Sequence, residues 1–397
     1  MYSTAANTTQ RPFIDLSSDT ATRPTDAMRH FMASAPVGDD QRGEDPTVNA
    51  LQIEAAALLG KDDALFLPSA TLANQIAIRV LTRPGDEVYC HEHAHIRLYE
   101  GGGPAVLSGV QLCPLPGIHG TFAPEVLRGA VRPPDPHFAR PRLVCLENTH
   151  NFAGGTVWQR DDLTAVAHAA RELGLFLHLD GSRLMNAATR LGVPAAEVAE
   201  PFDTVTLCLS KGLGAPVGAI LAGNKTAINE ARHWKQVFGA GMRQSGIIAA
   251  GGLYALRHHI PQLADDHANA TKLAQGFSEI PGLTLDPHPE TNLVFVNIAG
   301  TGLSGDEAQA RLMERGVRCS GGGHRLRFVT HLDVSASDID RTIAVARDVF
   351  GSAASPPTPN SGGAGGDIMA EHSLVGRDAP SSSPPAPPEL GVGGLSR

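Results

Sequence analysis

Lys211 stands directly after an apolar run, in Leu207-Cys208-Leu209-Ser210-Lys211-Gly212-Leu213-Gly214. A lysine that leaves a buried strand into a glycine-bearing turn loses solvation, and a desolvated amine becomes nucleophilic near neutral pH. The plainer reading is a lysine in a surface loop, and this motif alone does not choose. Asp180 has the same kind of position in Leu177-His178-Leu179-Asp180-Gly181-Ser182-Arg183. A carboxylate there can keep a pyridine-type nitrogen protonated and so make the ring an electron sink. It can equally cap a helix. In Phe66-Leu67-Pro68-Ser69-Ala70-Thr71 a third apolar run passes through small and hydroxyl residues. If a helix starts there, its free N–H groups offer a phosphate site. An amine, an acid and a phosphate turn together are what a phosphorylated pyridine-ring cofactor requires.

These residues need a scaffold that brings strand ends together. Asp45 and Pro46 read as N-cap and first turn of a helix whose face is Val48, Leu51, Ala55 and Leu58, with Gly60 past its end. A strand is expected over 64–67 and a helix from about Thr71. Further strands are expected over 143–146, 175–179 and 205–209, with a helix between Asp161 and Gly174. Alternating strands and helices predict an α/β fold with a mostly parallel sheet between helices. Ligands of such sheets bind at the carboxyl ends of the strands. From residue 258 the pattern changes. Strands over 292–298 and 325–330, and helices near Gly305 and Asp338, predict a smaller α+β domain. The helix near Asp338 carries a Ser337/Asp340 capping-box pattern.

The expected division is a flexible N-terminus over 1–13, a large domain over 14–257, a small domain over 258–351 and a disordered Ser/Gly/Pro/Ala-rich tail over 352–397. Hydrophobic residues make up 42% of the chain, enough for an ordinary globular core, and the net charge of −9 argues against nucleic-acid or anionic-membrane partners. Five scattered cysteines without a framework indicate a reducing compartment, and the polar first residues show no secretory signal, so a cytoplasmic location is expected. His91, His93 and His95 alternate, but no cysteine or carboxylate cluster accompanies them, and no metal is expected.

The order of phosphate turn, acid and lysine resembles the aspartate-aminotransferase-like enzymes of pyridoxal 5′-phosphate (PLP), fold type I. Longer stretches sharpen the likeness. They are Ile14-Asp15-Leu16-Ser17-Ser18-Asp19-Thr20, Gly43-Glu44-Asp45-Pro46-Thr47-Val48-Asn49, Leu146-Glu147-Asn148-Thr149-His150-Asn151, Gly241-Met242-Arg243-Gln244-Ser245-Gly246 and Val329-Thr330-His331-Leu332-Asp333-Val334. With the Lys211 motif they resemble the low-specificity L-threonine aldolases from Ile14 to about Phe350. The resemblance implies cleavage of β-hydroxy-α-amino acids to glycine and an aldehyde, by a homodimer or homotetramer with shared active sites. It implies Lys211 as the Schiff-base lysine, Asp180 on the ring nitrogen and His95 against the ring. Ala70 and Thr71 would hold the phosphate, with Arg243 reaching it or the site entrance across a subunit boundary. Ser18, Arg183 and Arg327 would bind the substrate carboxylate, Arg183 also lying by the cofactor, and His137 would lie near the substrate hydroxyl. On residue pattern alone, Arg327 also fits a solvent-facing strand position and His137 an idle loop. Ala70 and Ser17 depart from the glycine and arginine usual in the family. The rival functions are another fold type I activity (β-eliminating lyase, aminotransferase or racemase) and a non-catalytic PLP-fold binding protein.

Overall fold

A computed structural model describes residues 13–351; the expected flexible N-terminus, apart from Phe13, and the expected disordered tail from Ser352 lie outside the described residues. In chain order the strands are β1 (Ile14–Asp15), β2 (Asp63–Leu67), β3 (Asp86–His91), β4 (Gln111–Leu115), β5 (Arg140–Glu147), β6 (Phe176–Gly181) and β7 (Thr204–Cys208). They continue with β8 (Ala219–Gly223), β9 (Thr284–Leu285), β10 (Leu293–Asn297), β11 (Val317–Arg318), β12 (Ser320–Gly322) and β13 (Arg325–Val329). A seven-stranded sheet has the order β2-β8-β7-β6-β5-β3-β4. Within it β8 runs against both its neighbours, and the other pairings are parallel.

Both faces of this sheet are covered, and the side-chain alternation of β2 shows how. Ala64 and Phe66 enter a core with Leu51 and Ala55 of the helix Pro46–Leu58 and with Leu253 of the helix Gly246–His258. Leu65 and Leu67, pointing to the other face, pack with Ile76 of the helix Ala70–Leu81 and Ile228 of the helix Lys225–Val237. Residues buried on both faces turn the strands into continuous apolar runs, which is why β5, β6 and β7 were readable in the sequence. The helix Pro46–Leu58 starts as expected: the Asp45 carboxylate accepts from the N–H groups of Thr47 and Val48 at 3.1 and 3.0 Å.

A second core gathers around the four-stranded antiparallel sheet β12-β13-β10-β9. It takes in Ile14 and Leu16 from the start of the chain, where β1 pairs with β11. The last helix, Ala336–Gly351, corrects one expectation. Its capping box is Ser335 with Asp338, not Ser337 with Asp340: Ser335 Oγ accepts from the Asp338 N–H at 3.2 Å and Asp338 Oδ2 accepts from the Ser335 N–H at 3.0 Å. Both pairs have the same hydroxyl-to-acid step, so the pattern did not fix the register; Asp340 instead pairs with Lys272 at 2.6 Å.

Asp266, in the first turn of the helix Leu263–Ser278, is fully buried, and neither carboxylate oxygen accepts a hydrogen bond among the described residues. Burial, with Asp19 and Asp265 nearby, pushes its carboxyl up to about 8. A group whose folded pKa is raised contributes stability that is complete below its unfolded pKa of about 4 and is lost as pH rises to the folded value. Asp266→Asn is therefore expected to remove this loss. Melting temperatures measured from pH 5 to 9 should fall less steeply in the variant than in the wild type; parallel curves would mean that Asp266 does not titrate in this range.

Candidate active site

Parallel strands place their carboxyl ends along one edge, and the chemistry-bearing residues lie just past them. Beyond β2 come Ser69, Ala70 and Thr71; beyond β3 comes His95; β5 ends on Glu147; β6 carries Asp180; and Lys211 follows β7. Glu147 and Asp180 are register partners on adjacent strands, and so are Asp180 and Thr206. Gly181 allows this close pairing, since a side-chain carbon there would stand 2.3 Å from the Thr206 carbonyl oxygen.

Asp180 is buried, and its carboxylate is fully engaged. Oδ2 accepts from Asn74 Nδ2 at 2.9 Å, and Oδ1 accepts from the Ser182 N–H and hydroxyl at 3.1 and 2.7 Å. Burial alone would raise its pKa, but the charges of His95 and Lys211 and the Ser182 hydrogen bond outweigh it and hold the carboxyl below its ordinary value. Asn74 also donates to Glu100 Oε1 at 2.9 Å. The same Glu100 oxygen lies 2.9 Å from His95 Nδ1. One ligand-type atom from each of His95, Glu100 and Asp180 falls within 4.8 Å of the others. Burial would lower the His95 pKa, yet the Glu100 hydrogen bond and the surrounding carboxylates leave it raised. The His95 ring stacks against Tyr99 at 5.9 Å, and Tyr99 stacks on Phe152 at 4.5 Å.

Lys211 is half-buried in a turn closed by the Gly214 N–H donating to the Lys211 carbonyl at 2.9 Å. Its charge reaches both Asp180 and Asp19. No hydrogen bond or ion pair engages its Nζ among the described residues, whereas buried Lys235 is paired with Asp40 at 2.7 Å. At the start of the helix Ala70–Leu81, Ser69 Oγ accepts from the Leu72 N–H at 3.2 Å. The first-turn N–H groups of Ala70 and Thr71 have no acceptor within the helix.

The expected carboxylate-binding residues divide. Arg183 is buried, and its fork is committed to Asp19, with Nε and Nη2 at 2.6 and 2.7 Å from the two carboxylate oxygens. Only Nη1 faces elsewhere, donating to Asn151 Oδ1 at 3.1 Å. Arg327 donates to the same Asn151 oxygen at 3.4 Å and to the Ser17 carbonyl at 3.1 Å, while its buried Nε has no acceptor. Burial and the neighbouring Arg183 push its guanidinium down to about 10. Arg327 is thus a half-buried cation whose hydrogen bonds among the described residues go only to neutral groups, with Asp19 the carboxylate whose charge reaches it. The Ser18 hydroxyl accepts from the Thr20 N–H and hydroxyl at 3.2 and 2.8 Å.

Two expected residues are not brought to this cluster within the chain. His137 precedes β5, whose far end carries Glu147, so roughly 25 Å of extended strand separates it from the cluster of its own chain. Its side chain is 86% exposed and its Nδ1 lies 2.7 Å from Asp135, within a proline-rich segment. Arg243 is exposed and pairs with Asp39 at 2.9 Å. Conversely Asp19, Asn74, Glu100, Glu147 and Asn151 received no role from the sequence. Glu147 had a usable signal, an acid closing an apolar strand as Asp180 does. Asn74 had another, a polar residue in an otherwise apolar helix face.

The chain matches known proteins over most of its length. Residues 15–301 match the family described as beta-eliminating lyase. It is 43% identical to the low specificity L-threonine aldolase of Escherichia coli strain K12, over 83% of this chain and 97% of that protein. It is 38% identical to low-specificity L-threonine aldolase 1 of Arabidopsis thaliana, over 83% of this chain and 94% of the relative. The fold superposes on the threonine aldolase of Leishmania major with a TM-score of 0.74 at 21% identity, covering 85% and 99% of the two chains. It also superposes on a serine palmitoyltransferase from S. paucimobilis with bound PLP, with a TM-score of 0.68 at 15% identity and coverage of 86% and 88%. The chain has the PLP fold type I and belongs to the beta-eliminating lyase family and, within it, to the low-specificity L-threonine aldolases, which are aldehyde-lyases.

Proposed function

We propose that this protein binds PLP and cleaves L-threonine, L-allo-threonine and related β-hydroxy-α-amino acids to glycine and an aldehyde. The observation that carries the reading is Arg327, a half-buried cation whose hydrogen bonds among the described residues go only to neutral groups and which lies, like Lys211, within electrostatic reach of Asp19, with Lys211 in turn acting on the ionised Asp180. The described residues fit the cofactor: first-turn N–H groups for its phosphate, a buried carboxylate for its ring nitrogen, a free amine for its aldehyde and the His95 ring for its face. Bound there, PLP would supply an electron sink for the carbanion left when the Cα–Cβ bond breaks.

The rest is done by the chain. Asp180, kept ionised by His95, Lys211 and Ser182, would hold the proton on the ring nitrogen. Arg327, with Asn151 and Ser18 beside it, would grip the substrate carboxylate and so fix rotation about N–Cα. That grip would orient the Cα–Cβ bond for cleavage. Arg183 acts through Asp19 and Asn151, holding the wall of the carboxylate site. The β-hydroxyl proton would go to His95, to water or to the exposed His137 of a neighbouring copy. Glu100 fixes the His95 ring. Tyr99 and Phe152 give the cleft an aromatic wall.

We assign Arg243 to the site of a neighbouring copy, in a homodimer or homotetramer, because in its own chain it lies exposed with Asp39. We place the protein in the cytoplasm, in line with five free cysteines, four of them buried. No helix among the described residues is long and apolar enough to cross a membrane.

The test is a product assay with the threonine stereoisomers and phenylserine. Glycine and aldehyde in equal amounts are expected. A 2-oxo acid with ammonia would make the protein a β-eliminating enzyme, and no turnover despite bound PLP would make it a binding protein.

A further inference from the structure

Glu147 closes β5, is only 6% exposed, and meets His95 and Asn151 through their backbone N–H groups and not through their side chains. Its two oxygens go to two different loops. Oε2 accepts from the His95 N–H at 2.8 Å, and Oε1 accepts from the Asn151 N–H at 2.8 Å. The first loop carries the ring assigned to the cofactor face. The second carries Asn151 Oδ1, which receives both Arg183 at 3.1 Å and Arg327 at 3.4 Å.

We propose that Glu147 is a positioning residue: one carboxylate ties the His95 loop to the Asn151 loop and so sets the cofactor-face ring and the substrate-carboxylate grip relative to each other. The inference rests on the proposed function for the meaning of the two loops, but the tie itself is geometric. The arrangement is an unfavourable place for an acid. Burial and the adjacent Asp180 push the Glu147 carboxyl up to about 7, against the opposing pull of the two N–H donors and His95. His150 Nε2 stands 3.9 Å from Oε2, but burial lowers the His150 pKa to about 4, so His150 is not a charged partner of the carboxylate. An apolar residue here would avoid burying a second acid beside Asp180, but it would leave two backbone N–H groups without acceptors and release both loops.

The test compares PLP-loaded wild type with Glu147→Gln, Glu147→Ala, Asn151→Ala and the double variant Glu147→Ala/Asn151→Ala. Hydrogen–deuterium exchange followed by mass spectrometry should show faster exchange in Glu147→Ala at both the His95 and the Asn151 amides, by about 10- to 150-fold for a lost hydrogen bond to a charged acceptor. Glycine Kd, read from the cofactor absorbance, should rise in Glu147→Ala and in Asn151→Ala. In the double variant it should match Glu147→Ala within about twofold, because both changes act through one grip. The kcat of Glu147→Ala should fall as well, through the His95 loop. Glu147→Gln keeps one acceptor and presents an N–H to the other loop, so it should show faster exchange at one amide and an intermediate loss. That variant decides the matter if the alanine variant does not fold.

Unchanged exchange at either amide in Glu147→Ala, and at both in Glu147→Gln, would overturn the proposal. So would multiplying Kd effects in the double variant, or a lowered melting temperature with kcat and glycine Kd intact per bound cofactor. Exchange and glycine binding do not depend on aldol cleavage. If they change as expected in a protein whose wild type does not cleave β-hydroxy amino acids, the positioning role stands and the reaction assignment alone fails.

Discussion

Lys211→Ala is expected to abolish aldol cleavage and the visible absorbance of a lysine-bound cofactor. Among the described residues Lys211 is the lysine whose charge acts on Asp180. Lys235 is paired with Asp40 at 2.7 Å, and the Lys61 Nζ donates to the carbonyls of Glu200 and Phe202 at 3.2 and 2.7 Å. Lys211 alone of these three sits beyond β7 with its charge felt by Asp180, which in turn is register-paired with Thr206 of β7. Loss of a covalent-catalysis lysine removes a whole route and not a single contact, so residual turnover should fall below detection. Borohydride reduction of the wild type followed by peptide mapping should leave the cofactor on the Lys211 peptide. Cofactor found on another lysine, or threonine cleavage by Lys211→Ala, would remove Lys211 from this role. The variant should still fold, since a half-buried side chain without partners contributes little to stability.

The parts of this site that were legible in the sequence are those that announce a strand end. Leu207-Cys208-Leu209 before Lys211 and Leu177-His178-Leu179 before Asp180 are apolar runs buried on both sheet faces, and an ionisable residue at the end of such a run is conspicuous. The strand β3 was harder to see. Asp86, Glu87 and His91 occupy it, all buried, because Arg140 pairs with Asp86 at 2.8 Å and Arg132 with Glu87 at 2.9 Å. Partners from distant segments make these polar residues tolerable in a core, and no local pattern reveals them. The same reason hid Asp19, which is acceptable in the interior only with Arg183, 164 residues away. His137 stands apart from the cluster of its own chain for a different reason. Its role came from resemblance alone, and the side of the sheet on which a loop lies depends on strand direction, which local residue pattern does not state.

Arg327→Ala is expected to damage substrate binding while sparing the ligand-free protein, and the contrast with Arg183 shows why. Both guanidiniums donate to Asn151 Oδ1, but Arg183 has the buried Asp19 as its counter-ion and Arg327 has only neutral acceptors. Deleting Arg183 would leave Asp19 buried and unpaired, which typically costs about 3–5 kcal/mol of stability. Deleting Arg327 removes a cation that burial and Arg183 already disfavour, so the melting temperature of the ligand-free variant should stay level or rise. The loss appears when a carboxylate should bind. Truncating one partner of a desolvated charge pair costs about 2–5 kcal/mol, or roughly 30- to 4,000-fold in kcat/KM at about 1.4 kcal/mol per tenfold. Arg327→Lys should recover little of it, because an ammonium cannot donate two parallel hydrogen bonds to a carboxylate. PLP affinity and glycine affinity measured in the same variant separate the possible ligands. Retained PLP with weakened glycine assigns Arg327 to the substrate carboxylate. Lost PLP with wild-type glycine binding in the cofactor-loaded fraction would assign it to the cofactor, leaving Ser18, Asn151 and the Arg183 Nη1 that donates to Asn151 to hold the substrate.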